Sequence, residues 1–343
     1  MNTVFSPLHS GHSHQLELVA GAIVPGFELP SRPKFVAERI KAVGLGPIIP
    51  PDAHDLTTAA KVHRPDYLDF LPTVWHRWVS VGRSGTALPF TWSTRGLRGD
   101  VPPDFIDGLL GYYSFDAGAG FVEGTWKAIK SSHDVALTAA GLVKNGERSA
   151  FALCRPPGHH AGAAFAGGYC YINNAAVAAQ WFRDNGAGKV SILDVDYHHG
   201  NGTQEIFYSR ADVQVLNLHA DPRQEYPYFL GHADERGDGE GEGFNLNYPM
   251  PFGTAWNSWS ACLDDACEKL MAYAPDVVIV SLGVDTFERD PISKFKLKTE
   301  DFPKIGARIA ALKLPTLFVM EGGYAVEEIG INAVGVLTGF EGG

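Results

Sequence analysis

Short, unbroken aliphatic runs constrain this chain more than any other feature. They occupy residues 150–153, 190–193, 213–218, 277–282 and 316–320, and each is followed by turn-forming or polar residues. A strand with one face in water alternates apolar and polar side chains; an unbroken run of four to eight marks a strand covered on both faces, as in a parallel sheet. Helix-like stretches at 174–183, 258–273, 301–312 and 326–337 lie between or after these runs. The alternation predicts an α/β fold: an open, mostly parallel sheet with helices on both faces. With 343 residues, the chain can bury one large core, and 1–343 reads as a single domain. In such sheets ligands bind beyond the carboxyl ends of the strands, so chemistry is expected just after each run.

Composition narrows the function. A formal net charge of −11 argues against a nucleic-acid surface and is compatible with a cationic substrate. The longest apolar stretch, 275–284, falls short of the roughly 20 residues that cross a bilayer, so no membrane span is expected. Residues 1–14 lack the basic start and apolar centre of a secretory signal, which makes the cytoplasm the expected address. Cys154, Cys170, Cys262 and Cys267 are too few and too irregular for a disulfide framework or a thiolate zinc site, and read as reduced, buried thiols. Residues 78–124 are rich in Gly, Pro, Ser and aromatics with no sustained period. They read as a long insertion, of the kind that is usually functional or interfacial.

The run at 190–193 leads into Asp194, Asp196 and His198, whose spacing in extended chain turns all three side chains to one face. Alone, an Asp-x-His is commonly a solvated acidic turn. A third carboxylate, Asp285, follows the run at 277–282 and favours a metal site. Two carboxylates and one histidine leave positions open for water and substrate, the mark of a catalytic site. The ligand types suit Zn²⁺ and also admit Fe²⁺ or Mn²⁺. Behind the first run, Arg155-Pro156-Pro157-Gly158 stiffens a turn presenting His159 and His160. Water attacking an amide needs a proton acceptor and the departing amine needs a donor; paired histidines can supply both. Asp194 and Asn201 then orient these imidazoles rather than ligate. The last run ends in Glu321-Gly322-Gly323-Tyr324, where the tyrosine hydroxyl could stabilise an oxyanion. Gly168 and Tyr169, in Gly167-Gly168-Tyr169-Cys170, read as substrate-channel wall, and the lysines of 294–298 as a solvated basic patch.

Together the strings RPPGHHA (155–161), GGYCYINNAA (167–176), ILDVDYHHGNGTQ (192–204), SLGVDTFERDP (281–291) and MEGGY (320–324) resemble the arginase-deacetylase family. Within it they are most similar to the acetylpolyamine amidohydrolases and class II-like histone deacetylases. The resemblance implies zinc held by Asp196, His198 and Asp285. It makes His160 the general base and acid, His159 an electrostatic partner and Tyr324 the carbonyl-polarising hydroxyl, with Asp194 orienting His159 and Asn201 orienting His160. It also implies a structural K⁺ on carbonyls of Asp194, Asp196, His198 and Leu218, although Asn217 stands where a serine is common. The insertion, at about 80–124, is implied to form a homodimer interface and narrow the channel mouth. Asp107 would face the distal ammonium of a small acetylated amine, and Asp116 is a second candidate, whereas Gly118 stands where part of the family has a glutamate. The implied activity is removal of acetyl groups from N-acetylated polyamines or diamines; the alternative is a protein or peptide lysine deacetylase. A binding module that had lost catalysis should lack a ligand or the tyrosine, and a two-metal arginase-like hydrolase would need more carboxylates around residues 194–198.

Overall fold

The structure is a computed structural model and describes residues 1–13, 16–19 and 21–343. The described residues form ten strands: β1 (Asn2–Val4), β2 (Leu16–Val19), β3 (Ala22–Pro25), β4 (Ile48–Ile49), β5 (Ser149–Ala152), β6 (Val190–Asp194), β7 (Val213–Ala220), β8 (Asn245–Met250), β9 (Val277–Leu282) and β10 (Thr316–Met320). Eight of them make one open sheet in the order β4-β1-β5-β10-β9-β6-β7-β8. Every pairing in that sheet is parallel. β2 and β3 form a separate antiparallel pair.

Burial follows the pleat. From β6 and β9, Val190, Ile192, Val277 and Ile279 enter one hydrophobic core, while Leu193, Val278, Val280 and Leu282 enter the other. Helices Thr125–Lys144 and Asn174–Asp184 cover the first face. Helices Arg32–Val43, Trp256–Tyr273, Phe302–Ala310 and Ile329–Glu341 supply the second. A strand whose every residue is covered needs aliphatic side chains on both faces, which is why these runs do not alternate.

The expected helices form with shifted ends; the last begins at Ile329 rather than at residue 326. Residues 78–124 are more ordered than their composition suggests. They contain the helix Ile106–Tyr112, and Ala87 and Phe121 exchange backbone hydrogen bonds of 2.8 and 3.0 Å that close the insertion at its base. Of the cysteines, Cys154 and Cys170 are buried, but Cys262 and Cys267 are only half-buried, because they lie on the helix Trp256–Tyr273 away from its most covered stripe. Lys294, Lys296 and Lys298 are exposed and alternate with buried Phe295 and Leu297, as a solvated patch should. Among the described residues no helix is long and apolar enough to cross a membrane.

The strand order concentrates the polar loops. From β5 the chain crosses to β6, continues outward through β7 and β8, and returns to β9 and β10. The loops after β5, β10, β9 and β6 therefore leave four neighbouring strands at one edge of the sheet, where the direction of winding reverses.

Candidate active site

β6 ends at Asp194, and the extended chain beyond it carries Asp196 and His198 over the end of β9, where Asp285 follows. Donor atoms of Asp196, His198 and Asp285 all lie within 4.8 Å of one another, and all three residues are buried. His198 Nδ1 stands 3.3 Å from Asp196 Oδ1 and 3.1 Å from Asp285 Oδ2. Backbone amides fix the carboxylates. His198 N donates to Asp196 Oδ1 at 2.9 Å, Gly322 N to Asp196 Oδ2 at 2.8 Å and Tyr197 N to Asp285 Oδ1 at 2.9 Å. A Cβ on Gly322 would collide with both carboxylates, so glycine keeps this space for them.

Burial and the neighbouring Asp196 push the Asp285 carboxyl up to about 7. Two buried carboxylates this close resist joint ionisation unless a cation sits between them. Two carboxylate oxygens and one imidazole nitrogen, converging in a dry site with no Lys or Arg partner among the described residues, fit a single divalent ion with open positions.

Around this group stand the paired histidines. His159 Nδ1 is 3.0 Å from Asp194 Oδ2 and His160 Nδ1 is 2.7 Å from Asn201 Oδ1, with the two rings 4.0 Å apart. Asn201 Nδ2 points at His160 O, 3.5 Å away, which leaves Oδ1 to accept from the imidazole. His160 therefore carries its proton on Nδ1 and has an acceptor at Nε2. Burial, reinforced by His159 and His198, holds it well below the ordinary histidine pKa, as a neutral base. His159 is the opposite case: burial works against its charge, but Asp196 and Asp194 outweigh burial and push it up to about 10, an imidazolium. One environment thus separates two adjacent imidazoles into a base and a cation.

Tyr324 follows Gly323, whose φ of 128° lies outside the range open to side chains. Its backbone N donates to Asp290 Oδ2 at 2.7 Å, and its ring lies 5.6 Å from that of Tyr169. Arg32 supports the turn from below, donating to Gly323 O at 2.7 Å and Glu321 O at 2.6 Å with its guanidinium 4.8 Å from the Tyr324 ring centroid. Gly168 has φ 51°, and a Cβ there would strike the His160 ring, so the channel loop packs directly on the base.

Several supporting residues carry no signal in the sequence because their partners are remote in it. Glu321 Oε2 accepts from Gly158 N at 2.7 Å and His159 N at 3.1 Å, tying the histidine turn to the strand that bears Tyr324. Glu28 Oε1 accepts from both Arg32 (2.8 Å) and Arg155 (2.7 Å). Tyr226 lies edge-on to the His160 ring, centroids 5.1 Å apart, and donates to Asp116 Oδ2 at 2.7 Å.

Asp116 is half-buried and also accepts from Gly118 N at 2.9 Å and Gly168 N at 3.2 Å; desolvation pushes its carboxyl up. Asp107, on the insertion helix, forms a two-pronged pair with Arg83, whose guanidinium stacks over Trp78. Asn217 donates to Asp194 Oδ2 at 3.2 Å and turns its carbonyl to His219, while Leu218 is buried in β7.

The histone deacetylase domain model matches residues 27–339. Two Pseudomonas aeruginosa proteins, acetylpolyamine amidohydrolase 2 and acetylpolyamine amidohydrolase 1, are each 57% identical over 100% of this chain and 99% of their own length. The Mycoplana ramosa acetylpolyamine amidohydrolase is 47% identical over the full length of both chains. The crystal structure of the Burkholderia pseudomallei acetylpolyamine aminohydrolase superposes with a TM-score of 0.92 at 39% identity, covering 99% of this chain and 98% of that one. On sequence, fold and extent of match, this chain belongs to the histone deacetylase domain family.

Proposed function

We propose that this chain is a zinc-dependent amidohydrolase that removes acetyl groups from small N-acetylated polyamines or diamines. The observation that carries the chemistry is the neutral, Asn201-bonded His160 beside the buried group of Asp196, His198 and Asp285. When bound by those three residues, zinc would supply Lewis-acid polarisation of water and of the substrate carbonyl. His160 Nε2 takes the proton of the attacking water and returns it to the departing amine. The His159 imidazolium, held by Asp194, offsets negative charge developing on the carbonyl oxygen, and the Tyr324 hydroxyl donates to that oxygen. The walls of the channel are Gly168, Tyr169 and Tyr226.

The substrate class rests on full-length likeness to proteins named for acetylpolyamines, together with the acidic composition of the chain. On this reading the insertion at about 80–124 pairs two copies into a homodimer and narrows the mouth. Phe90, Leu97, Val101 and Phe105 are all more than half exposed on it and would be covered in that dimer. Asp107 would exchange its Arg83 partner for the distal ammonium, and Asp116 is the second acidic candidate at the channel. A structural K⁺ on carbonyls of Asp194 and Leu218 and a cytoplasmic address belong to the same proposal. The test is the ratio of kcat/KM for acetylputrescine or acetylcadaverine to that for an acetyl-lysine peptide, measured on zinc-loaded protein. A ratio well above one is expected; a ratio well below one would make the protein a lysine deacetylase.

A further inference from the structure

Beside the catalytic group lies a second convergence of donor atoms, which shares only His159 with the reaction above. Cys170, Glu321 and His159 are all buried, and each offers one donor atom within 4.8 Å of the other two. Glu321 spends Oε2 on the amides of Gly158 and His159; its other oxygen, Oε1, is buried with no hydrogen-bond partner among the described residues. A buried carboxylate oxygen left without a donor is costly and asks for a ligand. Cys170 Sγ donates to Gly168 O at 3.3 Å and also meets the backbone of His160, contacts that a metal–sulfur bond would replace.

We propose that Cys170, His159 and Glu321 form a second metal site, selective for soft divalent ions and inhibitory when filled. A thiolate, an imidazole and a carboxylate are a donor set for Zn²⁺ or Cd²⁺, and sulfur favours the softer ion. Binding forms a metal–sulfur and a metal–nitrogen bond and releases the Cys170 thiol proton and the His159 Nε2 proton to solvent; no electrons are transferred. The ion would take His159 Nε2, which lies 3.8 Å from Asp196 Oδ1, withdraw that nitrogen from the substrate carbonyl and slow turnover. That inhibition rests on the hydrolase reading above, whereas the metal–sulfur bond does not.

The experiment is a Cd²⁺ titration of the zinc-loaded holoenzyme, followed by the ultraviolet thiolate-to-cadmium charge-transfer band and by metal analysis. Because the first site contains no sulfur, exchange of its zinc for cadmium cannot produce the band. Wild type should bind one further equivalent with the band, and Cys170→Ser should lose the band while retaining one equivalent of metal. Glu321→Gln should weaken the second binding by about tenfold, the order expected for a weakened metal partner. Absence of the band in wild type, or its persistence in Cys170→Ser through another thiol, would overturn the site. A band that appears without loss of deacetylation would uphold the metal site and overturn its inhibitory role.

Discussion

Asn201 Oδ1 lies 2.7 Å from His160 Nδ1, and that contact decides which nitrogen of the imidazole faces the chemistry. A neutral amide acceptor fixes the tautomer without stabilising the imidazolium, so His160 stays a base in a buried site. Asn201→Asp would place a carboxylate there and raise the His160 pKa by one unit or more, on the order of the usual effect of an adjacent opposite charge. The acidic limb of the kcat/KM profile, where protonated His160 cannot accept a proton, should move to higher pH. An unmoved limb would remove Asn201 from this role.

His160→Ala should abolish most turnover and keep the metal, because His160 contributes no donor atom to the group of Asp196, His198 and Asp285. Metal analysis of the purified variant separates proton transfer from ligation; loss of zinc would count against the assignment.

Tyr324→Phe should lower kcat by on the order of a hundredfold, the usual effect of removing one oxyanion donor, with zinc content unchanged. Arg32 and Asp290 hold the backbone and ring of this residue, so the phenyl ring should stay in place. Full activity would mean that the hydroxyl only packs.

Glu28 joins two buried guanidiniums, and its acid behaviour follows. Burial opposes its charge, but Arg155 and Arg32 outweigh burial and hold the carboxyl at about 2, below its ordinary 4.5. A depressed folded-state pKa contributes stability above pH 4.5 that is lost as the pH falls from there through about 2. The full contribution is on the order of 3 kcal/mol. Glu28→Gln should destabilise the protein at neutral pH by roughly 3–5 kcal/mol, since two buried cations lose their counter-charge. Its acid unfolding curve should also be shallower in that window. Equal slopes for variant and wild type would refute the linkage.

If the insertion pairs two copies, Phe90→Asp with Phe105→Asp should shift the protein from dimer to monomer in light scattering. The preference for acetyl-diamines over acetyl-lysine peptides should fall in the same variant. A wild-type monomer would end the dimer reading.

The central strands and the six principal site residues were legible in the sequence for a shared physical reason. Strands such as Val277–Leu282 are covered on both faces and must be continuously apolar, and parallel strands must deliver their polar residues at one end. β8 was not legible, because at the sheet edge its sequence NLNYPM carries two asparagines and a proline that a central strand would not tolerate. The helix Thr125–Lys144 was also missed: it is buried over most of its surface and lacks a clear polar stripe. Glu28, Arg32 and Glu321 were invisible for another reason. Arg32 meets Glu321 O across 289 residues, and no local pattern records a contact of that span.

The position of β10 has a consequence for how the molecule is made. The last strand of the chain inserts between β5 and β9, which do not pair with each other in the finished sheet. A nascent chain that has not yet released residues 316–320 from the ribosome holds two half-sheets with exposed inner edges. The histidine turn then sits on one half and the group of Asp196, His198 and Asp285 on the other. Catalytic competence therefore waits on residues 316–320, and a growing chain cannot act on small acetylated amines before that strand has emerged.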